Sequence, residues 1–136
     1  MFVQGGHPFA SRLGERNTYK DMCPIFLQFL DCVSQLINQN ETAFEFNFKY
    51  LSKLANLMQN NLYGTFIADS PREYSDYNIE AETVAIWEDL KDISTLNGHY
   101  SCSQGFLHVS GKFNASRMWK EYFCSLISRK QDHYGF

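Results

Sequence analysis

The sequence is poor in the features that send a chain to a membrane, to nucleic acid or to a disulfide scaffold. No stretch in its 136 residues approaches the roughly 18 uninterrupted apolar residues that a membrane-spanning helix needs. The start, Met1-Phe2-Val3-Gln4-Gly5-Gly6, has no basic region followed by an apolar run, so no secretory leader is expected. Only four cysteines occur, Cys23, Cys32, Cys102 and Cys124, without C-x-x-C spacing; free thiols in a reducing compartment follow from that usage. The sequons Asn40-Glu41-Thr42 and Asn114-Ala115-Ser116 are then expected to stay unmodified. Positive charge is scarce too: 12 Lys and Arg against 15 Asp and Glu leave a net −3, which excludes a general electrostatic grip on nucleic acid. Repeats and low-complexity tracts are absent.

What is present is aromatic mass. Twelve Phe, eight Tyr and two Trp make 16% of the chain, enough for a sizeable core or a partner-facing surface. Residues 1–22, rich in glycine and polar side chains, read as a loop or a frayed helix end. Pro24 then suits a first helical turn, and Phe26, Phe29, Leu30, Val33, Leu36 and Ile37 recur at helical spacing until Asn38-Gln39-Asn40. Asn47 is placed to cap a second helix over about 48–62, with Leu51, Leu54, Ala55, Met58 and Leu62 as its stripe and Gly64 as its stop. Residues 63–67 suit an extended piece and 68–82 a charged surface loop. Thr83 is positioned to cap a short helix bearing Val84, Ile86, Trp87 and Leu90. After an irregular stretch over 94–113, a last helix carries Trp119, Tyr122, Phe123, Leu126 and Ile127. The fold class expected is mainly α, with both tryptophans as core anchors.

Four segments, in order, resemble one known family. They are Gly6-His7-Pro8-Phe9 with Arg12; the run Pro24-Ile25-Phe26-Leu27-Gln28-Phe29-Leu30-Asp31-Cys32-Val33 with Thr42-Ala43-Phe44-Glu45-Phe46-Asn47; Tyr63-Gly64-Thr65-Phe66; and Thr83-Val84-Ala85-Ile86-Trp87. Together they are similar to the myotubularins, cysteine-dependent phosphatases of 3-phosphorylated phosphoinositides. The resemblance implies that residues 1–136 are a partial phosphatase domain, the helical C-terminal part of an α/β cysteine-phosphatase fold. It also implies a Cys-x5-Arg loop N-terminal to the segments seen here. In that loop a thiolate attacks phosphorus while Arg and backbone N–H groups hold the oxygens.

None of the four cysteines supplies that loop. Six positions after Cys23, Cys32, Cys102 and Cys124 stand Phe29, Asn38, His108 and Lys130, and Arg129 after Cys124 is out of register. The stretch from His99 to Gly105 around Cys102 resembles a phosphatase signature only superficially, because it has no arginine. Where the family usually has Lys or Arg after Gly-His, Pro8 brings neither charge nor donor. That is similar to the catalytically inactive branch typified by myotubularin-related protein nine. The expectation is therefore a non-catalytic, pseudophosphatase-like chain, no enzyme, acting by binding an active relative or a phosphoinositide membrane surface. Its location would be cytoplasmic and peripheral at endomembranes. No catalytic residue, cofactor or metal is expected; His99, His108 and Cys102 fit no zinc spacing. Arg12 is the one candidate site residue, a vestigial contact for substrate phosphate, while His7 reads as a loop-packing side chain and Asp31 as a cap or hydrogen-bond partner. The alternatives are a truncated piece of an active phosphatidylinositol 3-phosphate phosphatase and an independent helical interaction module.

Overall fold

The computed structural model describes residues 2–13, 23–60, 62–102, 105–112 and 115–125. Its helices are α1 (Phe9–Arg12), α2 (Ile25–Gln39), α3 (Phe48–Met58), α4 (Pro71–Asp76), α5 (Ile79–Glu82) and α6 (Ile86–Leu90). One short 3₁₀ turn, Gly64–Phe66, lies between α3 and α4, a second, Ile93–Thr95, follows α6, and residues 120–125 are helical at the end. No strand forms among the described residues; two isolated bridges, Phe46 with Leu96 and Tyr63 with Val84, are the extended pairings. The mainly α expectation holds. The chain divides into two compact units, one of residues 1–28 and 54–91, the other of 29–53 and 92–136.

The first unit is built on aromatic side chains. Phe9, Phe26, Tyr63 and Phe66 are buried with Leu54, Ala55, Met58, Ile79, Ile86 and Leu90. Each large side chain taken out of water stabilises by about 1.5–3 kcal/mol. The ring of Phe9 meets those of Phe26 and Phe66 edge-on, at centroid separations of 5.1 and 5.0 Å. Gly64 owes its place to close approach: a Cβ there would collide with the Thr83 hydroxyl and lie 2.7 Å from Ile79 Cγ2. It is not the stop of α3, which ends at Met58 and leaves Leu62 exposed.

The segment 68–82, expected as a loop, holds α4 and α5. Its start signal is Ser70-Pro71-Arg72-Glu73: the Ser70 hydroxyl accepts the Glu73 N–H at 3.3 Å, and Pro71 occupies the first turn. Glu73 reaches back to accept the Asp69 N–H at 2.9 Å, so orphan donors at the helix start are satisfied. Thr83 closes α5 instead of opening α6. Its hydroxyl donates to Ile79 O at 2.7 Å, and the cap of α6 is Ala85. Trp87 is therefore not a core anchor; it is 55% exposed beside exposed Val84. On this five-residue helix Ile86 and Leu90 fill the inward positions, and no turn is left to bury the indole.

In the second unit Asn47 caps α3 as expected, its Oδ1 accepting the N–H groups of Lys49 and Tyr50 at 2.9 and 3.4 Å. Its amide nitrogen also donates to the carbonyls of Ser94 and Leu96, both at 2.9 Å. The irregular stretch after 94 is held by such amides. Asn97 donates to the carbonyls of Glu41 and Phe44, and Asn40 both donates to His108 O and accepts its N–H. Side chains thus satisfy backbone groups that no sheet or helix pairs. On α2, Leu30, Ser34 and Ile37 are buried, and Phe29, expected on that face, is exposed. Ser34 tolerates burial because its hydroxyl donates to Asp31 O at 2.8 Å. Trp119 is 1% exposed and stacks on Tyr122 with centroids 5.0 Å apart, so this core anchor is borne out. Leu126 and Ile127 lie outside the described residues.

Truncating Phe66 to Ala is expected to cost about 3–5 kcal/mol, as for other buried aromatic rings, and Trp87→Ala less than about 0.5 kcal/mol. Urea melts of the two variants followed by circular dichroism check the pair; a large loss at Trp87 would restore it to the core.

Candidate functional site

The segment bearing Arg12 begins with a tight turn. Gly6 adopts φ +86°, a left-handed conformation that favours glycine, and its N–H donates to Val3 O at 3.0 Å. The turn brings the His7 N–H onto Phe2 O, again at 3.0 Å. Pro8 then stands at the start of α1, whose single turn buries Phe9 and Ala10 and places Arg12 at its end. The His7 ring lies edge-on against Phe9 at 4.5 Å and Phe2 at 5.8 Å between centroids. His7 therefore packs its own loop, as expected, and also faces the site.

A carboxylate fixes this segment from a distance. Asp69 accepts two hydrogen bonds from Ser11, one from the backbone N–H at 2.9 Å and one from the hydroxyl at 2.5 Å. Bonds to an ionised acceptor are about twice as strong as neutral ones. Ser11 and Asp69 were missed in the sequence, where Asp69 reads as one charge of a solvated loop. Only the Ser70–Glu73 helix-start pattern hinted that this loop is ordered.

Residues Phe2, Gly5, Gly6, His7, Pro8, Arg12 and Ile25 line an open concavity of about 540 Å³. Burial pushes the His7 imidazole below its ordinary pKa of 6.5, the Arg12 cation pushes the same way, and Asp69 opposes both. At neutral pH His7 is uncharged and Arg12 carries the positive charge of this concavity. Pro8 adds no donor to it. Arg12 and His7 can together hold an anionic oxygen group, one by charge and the other by a neutral ring nitrogen. Cys23 approaches through its backbone, which donates to Arg12 O at 3.3 Å, but does not line the concavity. His99, Cys102 and His108 form no metal-holding group among the described residues. The cysteines are free thiols, Cys23 half-buried and the other three exposed. Asp31 is a hydrogen-bond partner within α2, to Ser34 and Gln35. No helix among the described residues is long and apolar enough to cross a membrane.

A family model described as the myotubularin-like phosphatase domain matches residues 1–75, more than half of the chain. Phosphatidylinositol-3,5-bisphosphate 3-phosphatase MTMR4 of Homo sapiens is 42% identical over 89 residues, 63% of this chain and 7% of that protein. The enzyme of the same activity name, MTMR2 of Mus musculus, is 32% identical over 126 residues, 87% of this chain and 19% of its own length. A myotubularin-related protein of Dictyostelium discoideum is 42% identical over 82 residues, 57% of this chain. The chain spans less than a fifth of the length of these relatives. It belongs to the myotubularin-like phosphatase family. The relatives overturn the expectation of a non-enzyme and pseudophosphatase, because proteins this similar are named as 3-phosphatases, which are enzymes. That expectation came from cysteine register and Pro8, and a cysteine count over 136 residues speaks for those residues alone.

Because its pKa is lowered in the fold, His7 resists protonation more than in the unfolded chain. Its contribution to stability is full above 6.5 and is lost as pH falls from there through the folded value. An NMR titration of the His7 ring is expected to give a midpoint below 6.5, rising in Arg12→Ala and falling further in Asp69→Asn. A midpoint unmoved by Arg12→Ala would show that this cation does not face the ring.

Proposed function

We propose that this member of the myotubularin family is part of a phosphoinositide 3-phosphatase domain. In this reading it is the helical part that follows the catalytic loop of an α/β fold, and its Arg12 contacts a phosphate of the lipid headgroup. The observation that carries the reading is the concavity in which Arg12 and neutral His7 stand together. Its geometry is held by the two bonds from Ser11 to Asp69. The names of the MTMR4 and MTMR2 relatives support phosphatidylinositol 3,5-bisphosphate as the substrate class.

The division of labour follows from the chemistry. Phosphoryl transfer to a thiolate needs a nucleophile and a cradle of donors, and neither is assigned to these residues. What Arg12 supplies is charge at the edge of such a cradle, where a guanidinium fork fits two phosphate oxygens. A neutral His7 adds no second positive charge and offers a hydrogen bond to a hydroxyl or a phosphate oxygen. Pro8 narrows the cationic surface, so affinity rests on Arg12 more than in relatives with Lys or Arg there. Because the substrate is a membrane lipid, peripheral association with endomembranes is proposed with it.

Calorimetric titration of the chain with short-chain, water-soluble phosphatidylinositol 3,5-bisphosphate tests the assignment. Arg12→Ala is expected to weaken binding by about tenfold or more, the scale of a lost charged hydrogen bond, with Arg12→Lys recovering part of it. Equal affinity of Arg12→Ala and the unchanged chain would remove Arg12 from the headgroup site.

A further inference from the structure

One side chain ties residues 97–99 of the second unit to residues 41–44. Asn97 Nδ2 donates to the carbonyls of Glu41 at 2.8 Å and Phe44 at 2.9 Å, and Asn97 Oδ1 accepts the His99 N–H at 3.0 Å. Two backbone bonds flank this clamp: the Asn97 N–H donates to Glu45 O at 2.8 Å, and the Ser101 N–H to Thr42 O at 2.9 Å. Both functions of the amide, donor and acceptor, are therefore in use. Asn97 is also the one asparagine of the chain that a glycine follows. Gly98 is exposed, and a Cβ built on it would meet nothing within 4 Å, so no neighbouring group shields that peptide.

We propose that Asn97 is a covalent modification site, a deamidation latch that the fold holds shut and that cannot close again once it has reacted. The chemistry needs only water. The Gly98 backbone nitrogen, having given up its proton, attacks Asn97 Cγ; a C–N bond forms, the Cγ–Nδ2 bond breaks, and ammonia leaves with that proton. The product is a five-membered succinimide. Water then opens the ring at one of its two carbonyls, giving aspartate or isoaspartate. Glycine favours the attack because no side chain crowds the nitrogen.

In the closed state the reaction is opposed, because Cγ must turn toward Gly98 and Nδ2 must leave, while three hydrogen bonds hold the amide in place. Local opening releases it, and the rate follows the open fraction. The product lacks what the clamp requires. An ionised aspartate only accepts, so the carbonyls of Glu41 and Phe44 lose their donor and face a negative charge. Isoaspartate also lengthens the main chain by a carbon. Each opening that ends in reaction is thus retained. The latch is independent of the Arg12 concavity and of the phosphoinositide reading.

The full chain is incubated in mildly alkaline buffer, with and without unfolding guanidinium chloride, and peptide mapping by mass spectrometry follows every asparagine. In guanidinium chloride Asn97 is expected to react ahead of the others, giving both aspartyl and isoaspartyl products, and Gly98→Ala to slow it without touching the clamp. In native buffer the same reaction is expected to run about tenfold or more slower, because only the open fraction reacts. Asn97→Asp copies the product and is expected to speed hydrogen exchange at the Ser101 amide, which the closed clamp protects, by about tenfold. Equal rates at Asn97 in native and unfolding buffer, another asparagine reacting first when unfolded, or unchanged Ser101 exchange in Asn97→Asp overturns the proposal. The rates on the unchanged chain decide it even where Asn97→Asp does not fold.

Discussion

Five rings set the geometry of the first unit. Phe2, His7, Phe9, Phe26 and Phe66 meet with centroids 4.5–6.3 Å apart, mostly edge to face. A helix of one turn such as α1 has no stability of its own, because nucleation costs more than its few hydrogen bonds return. Packing must hold it, and Phe9 is the side chain that does so. The Ser11–Asp69 pair then fixes the rotation of the turn, which decides where Arg12 ends up. Charge placement in the concavity is thus a consequence of aromatic packing three residues away in the chain.

The second unit solves a different problem. Its long irregular stretch has backbone groups that neither helix nor sheet can satisfy, and an unpaired buried group is costly. Amide side chains answer the need: Asn40, Asn47 and Asn97, with Gln35 and Gln39, bond carbonyls and N–H groups far along the chain. An amide offers both donor and acceptor at one position, which suits it to pin a loop in two directions. The same device holds the Arg117 backbone, two residues before the buried Trp119.

Membership in a phosphatase family and a cysteine pattern without an arginine six residues on pull in opposite directions only if these residues are asked to do all the chemistry. The relatives carry the name of an enzyme, and the chain is similar to a small fraction of each. A local residue count therefore has no authority over activity. Electrostatics around His7 and Arg12 describe a positive edge with a neutral neighbour, which is a binding feature and not a nucleophile.

Periodicity determined α2, α3 as far as Met58 and the burial of Trp119, and residue type determined the capping role of Asn47, because each is settled within a few turns. The ordered segments were equally sufficient for the family. Local chemistry also held the start of α4 at Ser70 and Glu73, where a run of charges hid it. Tertiary structure decided the rest. The partners of Ser11 and Asp69 lie 58 positions apart, and no local pattern encodes which carboxylate meets which hydroxyl. Gly64 serves Thr83, and Trp87 faces water because a five-residue helix has too little inward face for it. Sequence spacing states which side of a helix is apolar; only the packed chain states what that side meets, and so which concavity a charge such as Arg12 comes to line.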